Sequence, residues 1–245
     1  MLSIIIITKN EEKNIRRCLA SIQWADEIII VDSGSTDKTL DSAREFTNKI
    51  YSTDWPGYGK QKNRALNYAT HPWVLSLDAD EEVSAPLAER IKAIIKSQDG
   101  FDGYKIPRPV VFLNHIIKYA SGSSFDVRLF KRALGKFTDV DVHETLIING
   151  TIGKLDDPIY HYSFGDIDTI INKMNKYTTL VATQRIENGK RGSICKAITH
   201  SLWMFLKIYF FKRGFLDGRA GFILAVSFAE GAYYRYVKMY AQALK

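Results

Sequence analysis

The first hundred residues alternate apolar runs with amphipathic stretches. Ser3–Thr8 is a β-branched run that predicts a strand. Behind a capping Asn10, the apolar positions Ile15, Leu19 and Ile22 recur at helical spacing and predict a helix from Glu11 to about Ile22. A strand is expected over Glu27–Val31, a helix from about Lys38 to Thr47 and a short strand over Lys49–Tyr51. After Gly57 and Gly59 comes a helix from Lys60 to about Tyr68. Trp73–Leu77 is the next strand, and a helix covers Pro86–Ser97. Strands alternating with helices predict parallel neighbours in a doubly wound α/β sheet. Ligands of such sheets bind beyond the carboxyl ends of the strands. Three polar clusters, Thr8–Asn10, Asp32–Asp37 and Asp78–Asp80, fall at those ends.

The pattern then changes. Gly103–Phe112, Val127–Lys131 and Ile152–Leu155 read as strands with no helical crossover between them, which predicts a mixed sheet closing the site. From Asp166 onward the chain is mostly helical. The expected division is a nucleotide-binding and catalytic domain over residues 1–165 and a helical region over 166–245, with no internal repeat or low-complexity linker.

Two stretches of that region are amphipathic. Ile198–Phe211 places Leu202, Phe205, Leu206, Tyr209 and Phe210 at helical spacing, and Phe222–Ala243 does so with Val226, Ala229, Tyr233, Val237 and Tyr240. Lys207 and Glu230 interrupt them, so neither run reaches the roughly 20 apolar residues needed to cross a bilayer. Charge sharpens the picture. Arg185–Lys245 holds 11 Lys/Arg against 3 Asp/Glu, a net +8 in a chain of net +7, which leaves −1 for the 184 residues before it. Basic, aromatic helices suit an anionic membrane surface; packing on the domain or on a second copy of the chain is the alternative. No nucleic-acid-binding motif accompanies the charge, so nucleic acid is not an expected partner.

Composition adds limits. A hydrophobic content of 46% is that of a globular protein. Cys18 and Cys195 alone make no disulfide framework or cysteine zinc site and fit a reducing compartment. The sequence runs from Met1 straight into a strand with no basic leader, so a cytosolic fold without a secretory signal is expected.

The richest chemistry lies at Asp78-Ala79-Asp80. Alternate residues of an extended chain point the same way, so both carboxylates can face one point. Two hard oxygen ligands suit Mg²⁺ or Mn²⁺, above all a metal carrying a substrate's phosphates. A solvated strand end is the competing reading of the same three residues.

The segments "SIIIITKNEEKNI", "EIIIVDSGSTDKT", "GKQKNRAL" and "LSLDADEEV" resemble family 2 glycosyltransferases, inverting nucleotide-sugar enzymes of the GT-A fold. "DVRLFKR", "VHETL", "IYHYS" and "YFFKRGFLDGRAGF" resemble the branch that adds a sugar to the lipopolysaccharide inner core, typically a β-glucosyltransferase using UDP-glucose. The resemblance implies a GT-A doubly wound, Rossmann-like mixed sheet with a C-terminal amphipathic helical appendage. It implies donor-site roles for Thr8, Asn10, Glu11, Asp32, Ser33 and Asp78, with Thr8 lining the uracil pocket. Ser33 stands where the family usually carries a second Asp. Asp80 would bind the metal of the DXD motif, with Asp78 near the ribose or the metal and His161 as a third ligand or phosphate contact; for His161 a satisfied core residue is the alternative. Lys60 and Arg64 lie near the phosphates or on a solvated helix face. Glu144, in Val142-His143-Glu144, sits where the superfamily carries its catalytic Glu-Asp pair and is the favoured base. Asp126 is the second candidate, and His143 reads as a positioning or acceptor-site residue.

The function so implied is metal-dependent transfer of a hexose, glucose in this branch, from a UDP-sugar to a lipid-linked saccharide. The setting is the cytoplasmic face of the bacterial inner membrane, on which the protein lies peripherally. Two rival readings are a sugar nucleotidyltransferase and a non-catalytic membrane adaptor that binds nucleotide sugars. The first wants a Gly-rich basic loop after the first strand, where this chain has Thr8-Lys9-Asn10-Glu11. The second should have lost the acids, yet Asp78, Asp80 and Glu144 are present. A dinucleotide oxidoreductase would want GxGxxG at that turn, which is absent.

Overall fold

The computed structural model describes residues 1–97, 100–139 and 144–244. Strands β1 (Leu2–Thr8), β2 (Glu27–Asp32) and β3 (Ile50–Ser52) alternate with helices α1 (Ile15–Ala20), α2 (Thr39–Arg44) and α3 (Tyr58–Tyr68). Then follow β4 (Trp73–Asp78), β5 (Glu81–Val83), α4 (Ala85–Ser97), β6 (Gly103–Phe112), β7 (His115–Ile117) and β8 (Ser123–Lys131). Four further strands are β9 (Gly135–Phe137), β10 (Leu146–Ile148), β11 (Ile152–Lys154) and β12 (Ile159–Phe164). Helices α5 (Ile167–Glu187), α6 (Ile194–Leu206) and α7 (Gly218–Gln242) complete the chain. The main sheet has the order β3-β2-β1-β4-β8-β6-β12-β5, with β7 and β11 pairing on β6; β9 and β10 form a separate ribbon.

The chain divides into two compact units. One comprises Met1–Arg108 and Ser124–His161, the other Pro109–Ser123 and Tyr162–Lys245. The second therefore takes in a segment from the middle of the sequence as well as the C-terminal helices.

In the first unit β1 pairs in parallel with both β2 and β4, and β2 with β3. Strand β1 is buried from end to end because each face carries its own core. Ile4 and Ile6 join Ile15, Leu19, Leu87 and Ile91, whereas Ile5 and Ile7 join Ala65, Leu66, Phe130 and Phe137. A strand covered on both faces reads as an unbroken apolar run, and each fully buried Ile contributes roughly 1.5–3 kcal/mol. The register then fixes the polar ends. Thr8 lies opposite Asp32, and Ile7 opposite Asp78. The three polar clusters predicted to share one edge of the sheet therefore do. Beyond β4 the sheet turns mixed: β8 runs antiparallel to β4, and β12 antiparallel to β5.

Some local predictions need correction. Helix α1 starts at Ile15, not Glu11. Asn10 does not cap it: Asn10 takes a left-handed φ of 55° and its Oδ1 accepts from the Thr36 amide at 2.8 Å. The amides of Glu11 and Glu12 donate to Thr39 and Asp37. The residues expected to open the helix instead latch one loop to the next.

At the opposite end of the parallel strands Glu27 is almost fully buried. It accepts from the Ser3 hydroxyl and from Lys49, and from the amide and hydroxyl of Thr70 at 2.9 and 3.0 Å. Burial alone would raise its pKa, but these donors outweigh it and bring the carboxyl down to about 2.

In the second unit α7 packs against α5 and α6, with Phe112, Ile117, Ile170, Ile208 and Leu224 in its core. Close packing relies on missing side chains: a Cβ at Gly221 would lie 2.0 Å from the Gly214 carbonyl oxygen. The predicted helix Ile198–Phe211 is α6 followed by a π-helical turn over Lys207–Phe211. Among the described residues no helix is long and apolar enough to cross a membrane.

A group whose pKa falls on folding stabilises the protein above its unfolded value and loses that contribution as pH falls through the folded one. Glu27→Gln should therefore cost up to about 3 kcal/mol at pH 7. The difference from wild type should shrink between pH 4.5 and pH 2, as read by urea unfolding at several pH values.

Candidate active site

The site grows from the three strand ends. Asp32 is 1% exposed. Its carboxylate accepts from the amides of Gly34 and Ser35 at 2.9 and 3.0 Å and from the Ser35 hydroxyl at 2.5 Å. An Asp closing its own loop in this way shapes a turn. Ser33 donates its amide to the Thr8 carbonyl at 3.0 Å, and its hydroxyl accepts from Gln61 at 2.9 Å. The Asn10 amide donates to Ser35, and the Glu11 carboxylate accepts from Asn14. Thr8 is buried, yet its hydroxyl finds no hydrogen-bond partner among the described residues. Buried hydroxyls are nearly always paired, so Thr8 is an exception at the end of the central strand.

Asp78 lies in a cage of cations. Its Oδ1 is 3.1 Å from Lys62 Nζ, and its Oδ2 is 3.1 Å from Arg108 and 3.0 Å from Arg128. Burial would raise its pKa, but Arg128, Lys62 and Arg108 hold it well below the usual carboxylate range. Glu81 is fully buried beneath it, accepts from the Asp78 amide at 2.8 Å and is bonded by Arg108 and, at 3.5 Å, by Arg128. Burial pushes the Glu81 carboxyl up, and the neighbouring Asp78 charge adds to that. Buried carboxylates this close require the guanidinium groups.

Both candidate bases belong to this cluster. Glu144 Oε1 is 2.7 Å from Lys62 Nζ, so one lysine spans Asp78 and Glu144. Asp126 Oδ2 accepts from Arg108 at 3.0 Å and from Ser124 at 2.9 Å. Partial burial works to raise the Asp126 pKa, but those hydrogen bonds lower it overall. Val142 and His143 lie outside the described residues.

The predicted metal ligands divide. Antiparallel pairing of β12 with β5 sets His161 opposite Glu81, and His161 Nε2 comes within 3.3 Å of Asp80 Oδ2. Asp78 is not with them, because both its oxygens are committed to Lys62, Arg108 and Arg128. Among the described residues no group of three or more His, Cys, Asp or Glu is arranged to hold a metal. Asp80 and His161 still fit a hard divalent cation, since such ions often take one or two protein ligands and complete their shell with substrate phosphates.

The phosphate candidates on α3 fall on its outer side. Lys60 is exposed, and Arg64 pairs with Asp54 at 2.7 Å. Lys62, between them in sequence, turns inward and is buried. The sequence argument missed Lys62, Glu81, Arg108 and Arg128. The available signal was charge set in otherwise buried elements: Arg108 in the strand Gly103–Phe112, Arg128 in Val127–Lys131, and Glu81 directly after the DAD motif.

Residues 3–125 match Glycosyl transferase family 2. Over 253 residues the chain is 32% identical to the lipopolysaccharide core biosynthesis glycosyltransferase LpsC of Rhizobium meliloti, covering 100% of this chain and 94% of LpsC. It is 32% identical over 257 residues to a glycosyltransferase of Rickettsia typhi, covering 100% of this chain and 88% of that one. Among solved structures, Staphylococcus aureus TarS in complex with UDP-GlcNAc superposes with a TM-score of 0.52 at 19% identity, over 99% of this chain and 87% of TarS. The protein is a glycosyltransferase with the mixed α/β architecture of the GT-A fold, and it belongs to glycosyl transferase family 2.

Arg128→Met would leave Asp78 and Glu81 short of a buried counter-charge. Breaking such a pair from one side costs about 3–5 kcal/mol, so urea unfolding at neutral pH should show a loss of that size.

Proposed function

We propose that this glycosyltransferase moves a hexose, glucose in the reading favoured here, from a UDP-sugar to a lipid-linked saccharide such as lipopolysaccharide core, with inversion. The observation that carries this is the linkage of Asp78 to Glu144 through Lys62, beside the Asp80–His161 pair. Similarity to LpsC along the full length supports an acceptor of the core-saccharide class. Such an acceptor places the enzyme peripherally on the cytoplasmic face of the bacterial inner membrane.

The charges support a metal requirement. Among the described residues, Asp78, Asp80, Glu81, Asp126 and Glu144 are met by the full cations Lys62, Arg108 and Arg128. A nucleoside diphosphate adds more negative charge to a site already in deficit, so it enters best with a divalent cation. Asp80 and His161 are the residues to hold Mg²⁺ or Mn²⁺, which when bound neutralises the charge growing on the departing diphosphate. Thr8 and the loop closed by Asp32 and Ser33 receive the base and ribose. Lys62 shifts from the carboxylates toward the diphosphate and frees Glu144. The acceptor hydroxyl then attacks the anomeric carbon from the face opposite the diphosphate. The new C–O bond forms as the bond to the diphosphate breaks, and Glu144 takes the hydroxyl proton. Asp126, bonded to Arg108 and Ser124, is the second candidate for the base and otherwise serves to orient Arg108.

Calorimetric binding of UDP with and without Mn²⁺, together with a transfer assay, tests these roles. Asp80→Ala should lose the Mn²⁺-dependent part of UDP binding. Glu144→Gln should keep UDP binding and lose at least about 100-fold in transfer rate, with Asp126→Asn much less affected. The reverse order of the last two would move the base to Asp126. Absence of UDP binding in the folded wild type would overturn the UDP-sugar assignment and point to another nucleotide donor or to a non-catalytic protein.

A further inference from the structure

We infer that the second unit carries a membrane-insertion tip at the corner where α6 gives way to α7, and that its partner is an anionic lipid surface. This rests on the reading of a transferase with a lipid-linked acceptor, and it locates the contact in one place, distinct from a general affinity of the basic helices. The corner consists of the π-helical turn Lys207–Phe211, the 3₁₀ turn Gly214–Asp217 and the start of α7. The hairpin strand β7 and its following loop are fastened to it. Asp217 accepts from the amides of Lys118, Tyr119 and Ala120 at 3.0, 3.0 and 2.7 Å. A Cβ on Gly214 would lie 2.7 Å from the Ile208 carbonyl oxygen and 3.3 Å from Ala120 Cβ, so the parts sit too close for a side chain between them.

The outside of this corner carries two groups of aromatic rings. Tyr209 is the hub of one, with ring centroids 5.1 Å from Phe210, 6.3 Å from Phe215 and 5.6 Å from Phe222. Trp203 lies against Phe211 at 5.5 Å. Phe211 is nevertheless 70% exposed, and Phe210 and Leu216 are each 53% exposed. Single exposed apolar residues are ordinary, but several large ones exposed on one corner mark an interaction surface. Lys207, Lys212, Arg213 and Arg219 are exposed around it, and so is Lys118 on the fastened loop. The only acid in these turns is Asp217, which is spent on the clamp. Aromatic side chains ringed by exposed cations match an interface of anionic headgroups over acyl chains. A protein partner with a dry apolar face would leave those cations without counter-charges.

The test is co-sedimentation of the full chain with phosphatidylcholine vesicles containing or lacking phosphatidylglycerol, without donor or acceptor. Wild type should bind the phosphatidylglycerol vesicles, and more weakly as salt rises. Lys212→Gln/Arg213→Gln should weaken binding about 25-fold, at about fivefold per cation removed. Phe211→Ser/Leu216→Ser should abolish it; both side chains are exposed, so folding should persist, and unchanged helical circular dichroism and thermal unfolding would confirm that. Variants that sediment as wild type does would overturn the tip. So would a lipid-free wild-type dimer that dissociates in Phe211→Ser/Leu216→Ser, since that assigns the patch to a second copy. Failure of the transferase reading shows separately, as absent UDP binding beside intact vesicle binding.

Discussion

Two ionised carboxylates side by side, one of them fully buried, need cations between them, and the first unit is organised around meeting that condition at Asp78 and Glu81. Arg108 and Arg128 meet it. Neither comes from the parallel β1–β4 half of the sheet: Arg108 is on β6 and Arg128 on β8. The end of the central parallel strand is thus held by side chains from the later, mixed half, and the two halves of the sheet are locked together electrostatically as well as by backbone pairing. In a low dielectric this is a demanding arrangement, since removing either guanidinium leaves Asp78 and the buried Glu81 with less counter-charge.

The same network separates two kinds of acid that look alike in the motif. Asp78 faces the guanidinium groups and Lys62, while Asp80, two residues on, faces His161. The difference arises because the chain leaves β4 at Asp78 and re-enters a strand at Glu81, so the intervening turn breaks the alternation that would have aimed both acids at one point. Lys62 supplies the link outward, since it touches Asp78 and the segment that carries Glu144. In the proposed reaction the cations that stabilise the ligand-free protein are the ones a diphosphate would draw upon, and binding exchanges one set of ion pairs for another.

Much of the fold was legible because its determinants are local. Continuous apolar runs such as Ser3–Thr8 marked strands buried on both faces, and the polar clusters after them marked the edge where ligands gather. Short strands such as Glu81–Val83 and His115–Ile117 carry too few residues for periodicity to register, and they form because a long partner strand is already in place. Of the clustered acids, Asp78, Asp80, Asp126 and Glu144 stood out in the sequence, whereas Glu81 and the cations among them did not. Lys60, Lys62 and Arg64 lie within five residues of one another on one helix, and only the packing of that helix against Phe137 and β1 decides that Lys62 turns inward. The role of Asp217 was equally hidden, since its partners lie about a hundred residues earlier.

The interleaving of the two units has an evolutionary consequence. Because Pro109–Ser123 belongs with the C-terminal helices, no single recombination crossover can exchange one unit and leave the other whole. A crossover near Asp166 would deliver helices without the hairpin that fills their core at Phe112 and Ile117, and would strand that hairpin in a foreign context. Chimeras within the family should therefore be viable only when both segments come from the same parent. The sheet and the helices are thereby expected to diverge as a linked pair and not as interchangeable modules.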